Sequence, residues 1–387
     1  LDDGWFGQRD NDDSSLGDWF ADTRKLPSGI AGLAEKITAL GLQFGLWIEP
    51  EMISKKSRLF EQHPDWAVGV PGRDRTEQRR QYALDMSRPE IVDYLFTIIA
   101  KVIASAPISY IKWDMNRSIT EPFSLALTPD RQGEFFHRYI LGVYDLYERL
   151  TKSFPRILFE SCAGGGGRFD PGMLAFAPQG WLSDNTDAVE RLRIQSAASL
   201  VYPQSSWGSH VSAVPNHQTG RTTALSFRAM VAFFGDLGFE LDPTTLSPEE
   251  KNQIALYIDF YKAHRKTFQY GRFFRLATPD PAFYTAWQVS LEEESLVGFY
   301  KLLAQPNRPP VRLRLAGLDP DLVYTVSLWE QGGFEANDKN YNCGSRGGDE
   351  LMQAGLSLDT TYITKRGDFF GEIFIIKKTE SARHLKS

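Results

Sequence analysis

SYIKWDMNRS, residues 109–118, reads as the end of a β-strand with two unlike faces. At the strand period of two, Tyr110, Lys112, Asp114 and Asn116 share one side, while Ile111, Trp113 and Met115 share the other. One side is apolar. The other sets a cation, an acid and an amide in alternate positions, and keeping such a row buried is costly for structure alone.

The same arrangement, a short apolar run closing on acidic or polar residues, recurs along the chain. It is seen at 1–5 (LDDGW), 44–52 (FGLWIEPEM), 157–162 (ILFESC), 180–187 (GWLSDNTD), 205–212 (SSWGSHVS) and 238–242 (GFELD). Amphipathic stretches at 30–40, 89–104, 132–151, 188–201, 222–234 and 248–264 fill the gaps. Strand and helix in alternation predict parallel strands joined by crossovers. The seven strand ends are one short of a (β/α)8 TIM barrel, and a first strand preceding Leu1 would complete it. An open nucleotide-binding sheet is the competing reading. It is disfavoured because CAGGGGRF (162–169) lacks a following Lys-Ser/Thr and no GxGxxG follows the first run.

After about residue 270 the texture changes. FYTAWQVSL, ESLVGFYKLL, VRLRLAGL, LVYTVSLWE and GEIFIIKK alternate at period two between Pro, Gly and Asp turns, with no helical stretch between them. The expected organisation is therefore a catalytic barrel over 1–270 and a small antiparallel β-sandwich over 271–387.

A formal charge of -6 over 387 residues supplies no basic face for nucleic acid. No apolar run of about 18 residues predicts a membrane span. Cys162 and Cys343 form no CxxC pair, which fits a reducing, cytoplasmic setting. Six histidines contain no HxH or HExxH, and DNDDSSLGDW (10–19) lacks the glycine and terminal acid of a calcium loop, so no metal is expected. That segment reads as a solvated or substrate-facing loop.

Barrel strands deliver side chains to one end, so acids that close strands are the candidates for chemistry. Asp114 is one, with Lys112 favouring its charged form. Asp184, Glu49 and Glu160 also close strands, and two acids on separate strands are the minimum for cleaving a glycoside. The plainer reading of a strand-end acid is a helix cap or an arginine partner, and it is preferred for Asp187, directly before the 188–201 stretch. Trp5, Trp47, Trp113 and Trp181 sit at strand ends, where a ring stacks on a sugar face or packs in the core; Trp113, facing away from Asp114, reads as packing. Asn116 opens an NRS sequon but points into the proposed pocket, which argues against glycosylation.

Six segments in order, LDDGWFGQRDNDDSSLGDW, GLWIEPEM, YIKWDMNR, FESCAGGGGRFDPGML, WLSDNTDAVERLRIQ and SSWGSHVSAVPNHQTGR, resemble the bacterial α-galactosidases of glycoside hydrolase family 36, the raffinose and melibiose hydrolases. The resemblance implies a retaining enzyme without cofactor, with Asp114 as nucleophile and Asp184 as acid/base. It further implies that Asp2 and Asp3 hold the galactose 4- and 6-hydroxyls. Trp47, Arg79, Lys112 and Asn116 would contact the same sugar, and Cys162 and Gly165 would lie near O2. Family members carry an N-terminal β-sandwich and a first barrel strand ahead of the point where this sequence begins, and a homo-oligomer, a tetramer, is implied with them. A galactosyl transferase of the raffinose-synthase type shares this chemistry, and a non-catalytic galactoside-binding protein is a third reading.

Overall fold

The computed structural model describes residues 1–277, 283–307, 310–329, 343–358 and 366–379; Glu330, which closes the predicted strand stretch 322–330, lies outside them. The chain forms two compact units, Leu1–Asp184 and Asn185–Ser387.

In the first unit the order is α1 (Gly29–Ala39), β1 (Phe44–Ile48), β2 (Met52–Ile53), α2 (Arg58–Gln62), β3 (Tyr82–Ala83), α3 (Pro89–Ala104), β4 (Ile108–Trp113), α4 (Phe135–Ser153), β5 (Leu158–Ser161), α5 (Pro171–Leu174) and β6 (Gln179–Gly180). Strands β1, β4, β5 and β6 form one parallel sheet in that order, while β2 and β3 pair antiparallel. The two faces of β4 divide as the alternation predicts. Ile111 and Trp113 are fully buried, and the Trp113 ring stacks on Tyr147 of α4 at 3.9 Å. Tyr110 and Lys112 are only partly covered. Helix α3 begins on Pro89, with Glu90 in its first turn and Lys101 in its last, the order that suits the helix dipole. Its buried stripe of Ile91, Leu95, Ile99 and Val102 joins a core running from Trp5 to Ala177.

The segment 1–5 is not a strand. Leu1 bonds along β1, its nitrogen to the Gly45 carbonyl at 2.8 Å and its carbonyl from the Trp47 N–H at 3.0 Å. Gly4 (φ +95°) and Gly7 (φ +56°) then turn the chain away in a conformation that side chains disfavour.

The second unit contains α6 (Ala188–Ala198), β7 (Gly208–Ser212), α7 (Leu225–Ala232), β8 (Asp236–Glu240) and α8 (Pro248–Tyr270), with β7 and β8 parallel. Asp187 caps α6, accepting the Val189 N–H at 2.8 Å, as its position before the helix predicts. Burial works against its charge, but Thr219 and Arg221 outweigh it and hold the carboxyl below the ordinary range. Ser247 and Glu250 close a capping box at the start of α8, which runs to Tyr270, six residues past its predicted end.

Then follow β9 (Arg272–Ala277), β10 (Tyr284–Leu291), β11 (Glu294–Lys301), β12 (Val311–Leu313), β13 (Val323–Leu328), β14 (Gly344–Gly347), α9 (Gly348–Gln353), β15 (Leu356–Leu358) and β16 (Phe370–Lys378). Six of these strands form an antiparallel sheet ordered β14-β13-β16-β11-β10-β9, and β12 pairs with β15. Both sheet faces are buried at period two. Leu296, Tyr300 and Ile373 pack with the helical aromatics, whereas Val297, Phe299 and Phe374 pack with Val311 and Leu358 of the smaller sheet. The sequence pattern leaves no room for a helix here, yet α9 forms. At six residues it is too short for helical periodicity to register.

Candidate active site

Asp114 follows β4 directly, and its N–H continues the ladder by donating to the Ile48 carbonyl at 2.8 Å. The backbone is thereby fixed and the side chain held in place. Four N–H groups converge on its carboxylate: Asn116 Nδ2 at 2.6 Å, Met115 N at 2.8 Å, Trp47 Nε1 at 3.2 Å and Gly164 N at 3.4 Å. With 7 % of its surface exposed, the group is enclosed but fully hydrogen-bonded. The Cys162 thiol lies against it, and burial first, Asp114's charge second, push that thiol far above its ordinary range. A thiol so held is no nucleophile.

Asp184 approaches from the other side of the glycine loop. Gly165 (φ +82°) packs so closely that a methyl there would sit 2.7 Å from the Asp184 nitrogen, while its neighbour Gly164 touches Asp114. The two acids thus flank two consecutive glycines, and any side chain at Gly165 would displace the Ser183–Asp184 backbone. Asp184 is exposed at the surface. Loss of water on its inner side, then the charge of Asp114, raise its carboxyl above the ordinary range, against the opposing pull of Lys112 and Arg79. The Lys112 ammonium also lies 5.8 Å from the Trp181 ring centroid.

Arg79 reaches this position through a tight turn. Arg79 (φ +51°) and Arg80 (φ +58°) both occupy left-handed backbone, between Gln78 and Gln81, which pair across the turn. The Arg79 charge acts on Asp184, whereas Arg80 turns to Asp12 at 3.5 Å. Strain in two adjacent non-glycine residues is the kind that persists where surrounding contacts over-determine it.

Asp2 and Asp3 are exposed. Asp3 is gripped by the buried Arg9, 6 % exposed, through Nε and Nη2, each at 3.0 Å, and Asp2 accepts the Asp3 N–H at 2.7 Å. Asp2, Trp47 and Lys112 line a cavity of about 410 Å³ with Leu1, Gly45 and Tyr110. Of the strand-end tryptophans, Trp5, Trp113 and Trp181 are 3 % exposed or less; Trp5 and Trp113 pack in the core, while the Trp181 side chain hydrogen-bonds Asp184, and Trp47 is also buried, with its indole N–H committed to Asp114.

Glu49 and Glu51, two apart in IEPEM, are both buried but sit in opposite company. Glu51 accepts from Arg168 Nη1 and Nη2 (2.9 and 2.7 Å), Tyr139 (2.8 Å) and Trp113 (2.9 Å). Breaking such a pair costs about 3–5 kcal/mol, which marks Glu51 as structural. Glu49 accepts from Gln81 Nε2 at 2.8 Å and from the Asn116 N–H, with no cation among its hydrogen-bond partners. Among the described residues, no three or more His, Cys, Asp or Glu are grouped to hold a metal ion.

Residues 1–271 match the melibiase family, and residues 284–376 match the glycosyl hydrolase family 36 C-terminal domain. The chain belongs to the melibiase family. This melibiase-family chain is 52% identical over 360 residues to α-galactosidase AgaA of Geobacillus stearothermophilus, covering 92% of the chain and 48% of that protein. It is 46% identical to α-galactosidase 1 of Pediococcus pentosaceus, over 94% of the chain and 48% of the relative. Among solved structures, the α-galactosidase of Lactobacillus brevis superposes with a TM-score of 0.93 at 47% identity, over 100% of this chain and 51% of that one. A variant of AgaA in complex with raffinose gives 0.91 at 49% identity, over 98% and 51%. The chain therefore spans about half the length of the relatives it matches. Its fold is theirs, a (β/α) barrel followed by an antiparallel β domain, as the strand–helix alternation predicts.

Proposed function

We propose that the protein is a retaining α-galactosidase that releases terminal α-galactosyl units from oligosaccharides such as raffinose and melibiose. The reading rests on one observation: two acids flank one glycine loop, one ringed by hydrogen-bond donors and the other raised above its ordinary range. Four N–H donors converge on Asp114, whereas Asp184 is raised by lost hydration and by the Asp114 charge. That is the division of labour a double displacement needs.

In the first step Asp114 attacks C1 from the β face while Asp184 gives its proton to the departing glycosidic oxygen, leaving a β-galactosyl ester on Asp114. Once ester formation has removed the Asp114 charge, the second of the two causes that raised Asp184 is gone, and its carboxylate can act as a base. It takes a proton from water, which attacks C1 from the α face and frees α-galactose. Asp3, gripped by Arg9, and its neighbour Asp2 would accept from sugar hydroxyls, and Lys112, which lines the same cavity as Asp2, would supply the positive charge there. The chemistry needs no cofactor.

A transferase would run the same first step and pass galactose to a sugar instead of water. The test is raffinose turnover followed by NMR, with and without added 13C-labelled sucrose, whose galactosylation gives labelled raffinose. The expected result is α-galactose as the first-formed anomer, with water the main acceptor. First-formed β-galactose excludes the mechanism, and galactosyl transfer dominating over release assigns the protein to the transferases.

A further inference from the structure

Asp114 has a second acid beside it that the reaction above does not use. Glu49 is 1 % exposed, and one of its oxygens accepts both the Gln81 side-chain amide and the Asn116 N–H. The same Asn116 donates through its side chain to Asp114. Glu49, Asn116 and Asp114 thus form one chain of contacts, with acids at both ends.

We propose that Glu49 is held as a neutral, protonated carboxylic acid and serves as the positioning residue that, through Asn116, aims Asp114 and leaves the negative charge on Asp114 alone. Burying two adjacent carboxylates with both charged is costly, and no cation hydrogen-bonds Glu49, so the pair retains one proton. Four donors favour charge on Asp114; Glu49 has the Gln81 amide and the backbone and side chain of Asn116, all neutral. The charged groups around Glu49 do not alter this. Arg168 is committed to Glu51, and the Arg117 guanidinium is held by the carbonyls of Thr76 (3.0 Å) and Gln81 (2.7 Å). Lys112, on β4, acts on Asp184 and Cys162, and Asp114 itself opposes a second charge. Burial first and the Asp114 charge second push Glu49 up to about 8. The positioning role rests on the proposed galactosidase chemistry; the protonation state does not.

Between the ordinary carboxyl range and about 8, the folded protein keeps a proton that the unfolded chain has released. The stability tied to Glu49 is therefore complete at acid pH and is lost as pH rises through that window. Glu49→Gln, which preserves the neutral shape, removes this loss.

The test compares wild type and Glu49→Gln in the whole protein, by melting temperature from pH 5 to 9 and by kcat/KM on dinitrophenyl α-galactoside, whose leaving group needs no proton. The melting temperature of the variant should gain steadily on wild type as pH rises. Its kcat/KM at pH 5.5 should stay within about threefold of wild type, whereas Glu49→Ala should lose about 100-fold, mainly in kcat. A melting-temperature gap that does not change with pH, or a Glu49→Gln loss as deep as that of Glu49→Ala, overturns the proposal. Should wild type release no dinitrophenol, the galactosidase reading fails, and the melting curves alone still decide the protonation state.

Discussion

Asp114→Ala in the whole protein is expected to lower kcat for nitrophenyl α-galactoside by on the order of 10⁵-fold, the scale seen when a covalent nucleophile is removed. The fold should survive, because Asp114 contributes its backbone N–H to the sheet and that bond to Ile48 is kept. The vacated space lies among N–H donors and suits a small anion. Azide should therefore restore turnover, entering from the β face and giving β-galactosyl azide. Intact melting behaviour with wild-type turnover would remove Asp114 from the chemistry.

The second large effect belongs to Asp184. Asp184→Ala should slow raffinose hydrolysis by about 10²–10⁴-fold, the range for a lost general acid. An aryl galactoside with a good leaving group should lose less in its first step, since it departs without a proton. Azide should again accelerate the variant, but here it replaces water on the α face and yields α-galactosyl azide. The opposite anomers from the two variants separate the two roles more sharply than either rate. In wild type, kcat/KM for raffinose should fall as pH rises through the raised Asp184 range, because only the protonated acid can donate. Asp184→Asn should lack that limb. An unchanged pH profile in Asp184→Asn would contradict the assignment.

How much of this was legible in the sequence depends on how far each contact reaches along the chain. The two faces of β4, the Asp187 cap and the start of α3 are local matters, set by a period of two, a short polar side chain or a proline, and they read directly. The pairing of Asp114 with Trp47 spans 67 residues and that with Gly164 spans 50, so periodicity alone shows only that each lies on an inward face. Which acid is nucleophile and which is acid/base came from resemblance. The roles of Arg9 and Gln81 and the contrast between Glu49 and Glu51 are not legible in the sequence. Two acids in one apolar run, IEPEM, were a visible signal, but the cation that distinguishes them, Arg168, lies 117 residues from Glu51. Short elements were missed for a different reason: α9, β14 and β15 are each no longer than six residues and carry too few positions to show a period.

The central claim is that Asp114 becomes covalently bonded to galactose. The most direct measurement is to incubate the whole protein with a fluorinated galactosyl fluoride, whose fluorine slows breakdown of the ester, then digest it and weigh the peptides. One added fluorogalactosyl unit on the peptide holding residues 109–118, placed on Asp114 by fragmentation, is the predicted result; a label on any other residue, or turnover that never yields a labelled peptide, contradicts it.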